Sequence, residues 1–503
     1  MTERQAYELL QLDSRETSLL ASTAALLGWD QSTMIPPAGH GHRAEQLSLL
    51  SGLIHERLVN PRREEWLARV EGSGLTKDLH SAEAANIREW RRSFDRAVKL
   101  PTRLAVELAK AASLAQAAWE KARHENDWHT FLPHVETLFR LKREEAEAVG
   151  YEHEPYDALL DVYEPGETAA SLAPLFSALG RSLAALLEQI IAANQSDLDR
   201  GKLMQGHDSQ AQEALVREIV RDLGFDFSSG RLDISAHPFS TTIGPGDARI
   251  TVRYQKADLV DGLFGAIHET GHALYEMGLP TEHWGSPAGE SVSLGVHESQ
   301  SRLWENFVGR SQGFVRYLLP LVKTHLPGTD SATHRELYRA VNVVSPSLIR
   351  TEADEVTYNL HVILRFELET ALLRGDLAVK DLPGAWDEKM QHYLGITPPD
   401  PARGCMQDVH WAAGLIGYFP TYTLGNLYAA HLFAAAQRDL GDLDQALSQG
   451  EFLPLLEWLR TNIHAHGMRF SPRELIRRAS GEDLNPERLL TYLEAKFAQV
   501  YDL

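Results

Sequence analysis

Helical period dominates this chain. Apolar residues recur three or four apart through most of its 503 residues, which commits it to packed amphipathic helices rather than to sheets. In EAANIREWRRSFDRAVKL (83–100) the apolar face is Ile87, Trp90, Phe94 and Val98. Segments 103–122, 132–149, 169–194, 210–223, 258–278, 346–374 and 424–440 follow the same rule. They are divided by turn chemistry such as IPPAGHG (35–41), YEPGET (163–168), LPGTD (326–330) and GITPPDPARG (395–404). No fixed-period repeat, low-complexity tract or flexible linker interrupts the run, so residues 1–503 are expected to form one large helical unit.

One region breaks the period. In RLDISAHPFSTTIGPGDARITVRYQ (231–255), Ala248, Ile250, Val252 and Tyr254 alternate with Arg249, Thr251 and Arg253, as in a strand. Gly244–Asp247 supplies a turn before it. A small antiparallel sheet is expected there. Its edge could receive a peptide, or it is a plain structural hairpin.

The next segment, AIHETGHALYEMG (266–278), carries His268, Glu269 and His272 on a helix that also accepts Gly271. A helix turns about 100° per residue, so positions i and i+4 share a face and two imidazoles can grip one ion. Glu269 is offset enough to miss the ion and reach a water beside it. This is the content of the H-E-x-x-H pattern. Gly costs about 1 kcal/mol in a helix relative to Ala. Gly271 falls on the packing stripe with Leu263, Phe264, Ile267 and Leu274, where a missing Cβ lets another helix come close. With 22 histidines, chance pairs such as HENDWH (124–129) also occur, but there the second ring is one place too far.

A catalytic zinc needs a third protein ligand and an open position. SVSLGVHESQSRLWENF (291–307) offers Glu298, 25 intervening residues after His272, on a second helix. His297 is the competing ligand, but it lies about 100° from Glu298, so only one of them can point inward. Glu298 is favoured because it completes a His2Glu set. Such a site acidifies water and polarises a carbonyl, while Glu269 takes the proton and passes it to a leaving amine.

Composition excludes other classes. The formal charge is −21, from 49 basic and 70 acidic residues, and an acidic surface repels phosphate backbones, so no nucleic-acid partner is expected. Cys405 is the sole cysteine, which rules out an internal disulfide and a cysteine-based zinc site. It is expected to be an inert buried thiol. MTERQAYELLQLDSRE has no apolar core of a signal peptide, and LLASTAALLGW (19–29) is too short to span a bilayer. A cytoplasmic protein with no membrane partner is expected.

Further motifs carry a family resemblance: LGWDQSTMIPPAG (27–39), HPF (237–239), DARIT (247–251), HES (297–299), IRTEAD (349–354), GCMQDVHW (404–411) and GYFPTYTLGN (417–426). With HETGH, and in this order over nearly the whole chain, they resemble the carboxypeptidase Taq family of metallocarboxypeptidases. The resemblance implies a mainly α fold, a large helical metallopeptidase with a long substrate groove between two lobes and the small β-sheet at its rim. It implies removal of single residues from peptide C-termini with broad side-chain tolerance. It also implies zinc, with cobalt as a possible substitute, and a homodimer. The family's ligand positions fall on His268, His272 and Glu298, and its base on Glu269.

An exopeptidase must also hold a free carboxylate, for which Arg is best suited. In PSLIRTEADEVTYNLHVILRF (346–366), Arg350, Asp354, Tyr358, His361 and Arg365 fall about one helical turn apart. Such a stripe is either a solvated face or a functional one, and the IRxxAD motif favours Arg350 as the carboxylate anchor with Asp354 as its partner. His410, Tyr418 and Tyr422 are either donors to an oxyanion or substrate backbone, or core rings with satisfied tips. His237, before Pro238, either lines the groove or caps a strand. Asp247 and Arg249 are expected to pair and hold the sheet. Two other readings stay open: a metallo-endopeptidase or dipeptidase on the same scaffold, and a non-catalytic helical scaffold.

Overall fold

The computed structural model describes residues 1–193, 201–254 and 259–503. The expected helices form at Ala82–Lys99, Thr102–Glu125, Trp128–Val149 and Ser209–Asp222, among others. Those that build or frame the site are α1 (Glu3–Thr33), α2 (His40–Leu58), α3 (Ala169–Ala192), α4 (Leu259–Gly278), α5 (Leu294–Arg302), α6 (Thr357–Arg374) and α7 (Pro420–Leu440). Residues 194, 255 and 258, at the ends of three expected elements, lie outside the described residues.

The main core joins most helices, whereas Ala6, Tyr7, Leu10, Leu67, Val70, Ile87, Trp90 and Phe94 form a small separate core in the N-terminal layer. A cavity of about 390 Å³ separates α1 of that layer from the hairpin at 242–248 and the end of α4. α3 is long and apolar enough to cross a bilayer by length and composition. It packs on α6 and buries Leu172, Phe176, Leu179, Leu183 and Leu187.

The sheet has three strands, β1 (Gly230–Ile234), β2 (Ser240–Gly244) and β3 (Asp247–Val252), in the order β1-β3-β2. It is mixed rather than wholly antiparallel: β2 and β3 form the expected hairpin, but β1 pairs parallel to β3. The physical reason is the loop at 235–239, which carries the chain past β3 before it reverses. Thr251 fixes that loop: its Oγ1 lies 2.7 Å from Ser235 Oγ and accepts from Phe239 N at 2.9 Å. Ala248, Ile250 and Val252 are buried, as their alternation requires. Asp247 and Arg249 pair at 2.7 and 2.8 Å. The Arg249 and Arg231 guanidiniums pack 4.4 and 4.7 Å from the Trp29 ring of α1, tying the N-terminal layer to the sheet.

The segment 346–374 is not the single helix its period predicts. Helix begins only at Thr357, because Asp354 Oδ1 accepts the N–H groups of Val356 and Thr357, both at 3.0 Å, and so starts α6 there. Arg350 sits in a separate turn, Arg350–Glu352, off the helical stripe.

α4 packs against β3, the Ser209–Asp222 helix and α5, and α5 packs against α7. The α4–α5 contact is close because Gly271 has no side chain: a Cβ there would lie 2.6 Å from Ser301 Cα and 2.7 Å from Gln300 O. The other flank of α5 meets a second glycine. A Cβ on Gly425 of α7 would lie 2.5 Å from Glu298 Cγ. The N-terminus of α5 is held by the buried Glu164, which accepts from Ser293 Oγ at 3.0 Å, Gly295 N at 2.9 Å and Tyr428 OH at 2.8 Å.

Candidate active site

The approach of α4 and α5 brings His268, His272 and Glu298 together, with one donor atom from each all within 4.8 Å of one another. Glu298 Oε2 lies 3.8 Å from His268 Nε2 and 3.5 Å from His272 Nε2. The far side of each imidazole is also fixed. His268 Nδ1 is 2.9 Å from Glu305 Oε2, so its N–H donates there and Nε2 is left as a lone-pair donor. His272 Nδ1 is 2.6 Å from His297 Nδ1, and His297 Nε2 is 2.9 Å from Glu276 Oε1. A proton on His297 Nε2, given to Glu276, leaves His297 Nδ1 to accept from His272 and again frees a lone pair on His272 Nε2. His297 thus stands behind a histidine instead of facing the cluster.

This donor set fits a divalent cation. Two imidazoles and one carboxylate oxygen converge from two rigid helices, each imidazole oriented by a second partner. The titration of the cluster has the same origin. Burial, with His297 beside it, pulls His272 down to about 3, the neutral form a ligand needs. Burial opposes ionisation of Glu298, but Arg302 and His268 hold it well below the usual carboxylate range.

Glu269 is buried on the cleft side of α4, and no protein group among the described residues hydrogen-bonds its carboxylate. Burial raises it to about 7; His268 counters this, while Glu298 and Glu305 add to it. His268 and Glu269 line a cleft of about 760 Å³ with Pro238, Arg302, Arg350 and Tyr358. Its size suits a small ligand or the end of a peptide.

Arg350 lies in that cleft wall, but Asp354 is not its partner. Asp354 is spent on α6 and on Ser345 N, at 2.9 Å. Instead Arg350 Nε and Nη2 donate to Asp408 Oδ1 at 3.1 and 2.8 Å, and Nη1 donates to Tyr358 OH at 2.9 Å. Asp408 also accepts from Arg365 Nε at 2.8 Å. Two guanidiniums on one carboxylate leave a net positive charge beside the cleft.

His410 Nε2 is 3.0 Å from Tyr422 OH, and burial pulls this histidine down to about 4, so it is neutral. Tyr418 lies 5.3 Å from His410 and 5.4 Å from Tyr422 between ring centres. The Arg350 guanidinium is 4.8 Å from the Tyr422 ring, so these three residues adjoin the Arg350 wall. His237 is exposed on the β1–β2 connection and its carbonyl accepts from Ser235 Oγ at 2.6 Å; its neighbour Pro238 is the residue that reaches the cleft. Cys405 is buried, and desolvation pushes its thiol up to about 12, which makes it inert.

Sequence reasoning does not reach Glu305, Arg302, Glu276 or Asp408. Glu305 and Arg302 do have a weak signal, since they sit seven and four positions after Glu298 on one helical face. Asp408 and Glu276 become partners only through tertiary packing.

A mainly helical chain with a His2Glu donor set, an H-E-x-x-H helix and a cleft-facing glutamate defines a metallopeptidase. Comparison with known proteins narrows the class. The model of the carboxypeptidase Taq (M32) metallopeptidase family matches residues 9–497, and the chain belongs to that family. It is therefore a metal-dependent carboxypeptidase. It is 50% identical to thermostable carboxypeptidase 1 of Thermus thermophilus, over 100% of both chains. It is 36% identical to carboxypeptidase 1 of Bacillus subtilis, over 99% of this chain and 98% of that one. The crystal structure of an M32 carboxypeptidase from Deinococcus radiodurans superposes with a TM-score of 0.95 at 38% identity, covering 99% of this chain and 100% of that one.

Proposed function

We propose that this chain is a zinc carboxypeptidase that releases single C-terminal residues from peptides with broad side-chain tolerance. The observation that carries it is the convergence of His268, His272 and Glu298 beside Glu269 in a cleft whose wall holds the net positive Arg350–Asp408–Arg365 group. Zinc held by the three donors supplies Lewis acidity, with cobalt as a possible substitute. Glu269 accepts the proton of the attacking water as its oxygen adds to the peptide carbon. When the C–N bond breaks, Glu269 returns that proton to the departing amine, and the carboxylate product and free amino acid remain. The spare charge at Arg350 attracts the substrate's terminal carboxylate. Tyr418, Tyr422 and His410 stand next to Arg350 and supply hydrogen-bond donors for the developing oxyanion or the substrate backbone. His237, next to cleft-lining Pro238, sits at the rim.

The test compares matched peptides with free and amidated C-termini. Hydrolysis of the free peptide alone is expected, with Arg350→Ala raising KM for it while metal content stays unchanged. Equal hydrolysis of both peptides would favour the endopeptidase reading. Elemental analysis of protein from cells is expected to return one zinc per chain.

We further propose a single-domain, cytoplasmic homodimer. One buried cysteine suits a reducing compartment. No residue of α2 is buried, and Leu12, Leu19, Leu49 and Leu53 of α1 and α2 are exposed apolar surface that a second copy would cover. Light scattering is expected to give twice the chain mass of 56.2 kDa, and cell fractionation a soluble cytoplasmic pool.

A further inference from the structure

The two oxygens of Glu298 live in different surroundings. Oε2 faces both histidines, at 3.8 and 3.5 Å. Oε1 accepts a hydrogen bond from Arg302 Nε at 2.7 Å. Arg302 lies one turn further along α5, and its guanidinium is held 4.1 Å from the Tyr358 ring. Its Nη1 donates to Glu305 Oε2 at 3.3 Å, the same oxygen that accepts from His268 Nδ1. One arginine therefore touches Glu298 itself and the partner of His268, and so acts on two of the three donors.

We propose that Arg302 is a positioning residue that confines Glu298 to one-oxygen ligation and keeps an ion position free for water and the substrate carbonyl. The inference rests on the reading of His268, His272 and Glu298 as ligands. A carboxylate that chelates through both oxygens fills two positions, whereas a catalytic zinc site needs three protein donors and an open place. The Nε–H···Oε1 contact is charge-assisted, and such bonds are short and strong. Oε1 is thereby occupied, and Oε2 is left to the ion, with Ser301 Oγ in a longer contact with it at 3.3 Å. Arg302 also offsets the negative charge of Glu298 and Glu305 together. Arg310 cannot replace it, since of these two carboxylates it touches Glu305 alone, at 3.5 Å.

A role confined to core packing would leave the ion's coordination untouched, so the test reads coordination directly. Parent protein, Arg302→Gln and Arg302→Lys are loaded with Co2+, and the visible spectrum and the dissociation constant are measured. The parent is expected to show the intense bands of low coordination number. Both variants are expected to show weaker bands of higher coordination number, with affinity reduced about 10- to 100-fold, the usual cost of losing a partner behind a ligand. Their kcat is expected to fall with little change in KM. Variants with the parent's spectrum and affinity would overturn the proposal. A crystal structure of the zinc-loaded parent needs no variant: one Glu298 oxygen on the ion is expected, and two would overturn the proposal. A parent that binds Co2+ no better than its His272→Ala variant overturns the ligand assignment instead, and this is seen before Arg302 is altered.

Discussion

Replacing Glu269 by glutamine is expected to leave the metal in place and cut kcat/KM by about 100- to 10,000-fold, the range a positioned general base contributes. Glutamine keeps the shape of the side chain and cannot accept the proton. No protein hydrogen bond is lost, because none among the described residues reaches the carboxylate. The exchange also removes the cost of a buried charge whose proton affinity burial has raised. The variant should therefore be at least as stable as the parent while nearly inactive. Elemental analysis, a melting curve and steady-state kinetics on one preparation check all three. Full activity would remove Glu269 from the mechanism.

Gly271→Ala is expected to have the second large effect, through geometry rather than chemistry. In an exposed helix this exchange gains about 1 kcal/mol. Here the new methyl would meet Ser301 Cα at 2.6 Å and Gln300 O at 2.7 Å, both backbone atoms that cannot rotate aside. Overpacking of this kind costs about 1–3 kcal/mol. The helices are expected to part, and α5 carries Glu298 with it, so metal affinity should fall further than stability does. Gly265 of the same helix is the control, because a Cβ there meets nothing within 4 Å. Gly265→Ala should melt no lower than the parent. If both variants bind metal and melt as the parent does, the close approach is not what assembles the site.

The sequence was legible where chemistry depends on spacing along one helix. His268 and His272 share a face because they are four apart, and only one of His297 and Glu298 can point inward because adjacent residues diverge by about 100°. Gly271 was readable as a packing position for the same reason. What spacing could not carry was contact between distant segments. Arg350 and Asp408 are 58 residues apart, and Glu276 meets His297 across two helices. The apparent stripe from Arg350 to Arg365 fits helical period, yet the Asp354 side chain starts α6 at Thr357 and puts Arg350 in a turn. The strand β1 was hidden because five residues give little alternation, and its parallel pairing is a property of the loop path.

The glycines on either flank of α5 have a thermodynamic consequence. The three donors come from helices that meet only in the folded state, so the unfolded chain presents two histidines and a remote carboxylate. Any ion bound there is linked to folding, and stabilises the native state by about 2.7 kcal/mol at a free concentration of 100 times its dissociation constant. Metal and fold are in this sense one equilibrium. Stripping the ion removes that stabilisation, and widening the α4–α5 seam is expected to weaken ion binding through the same linkage.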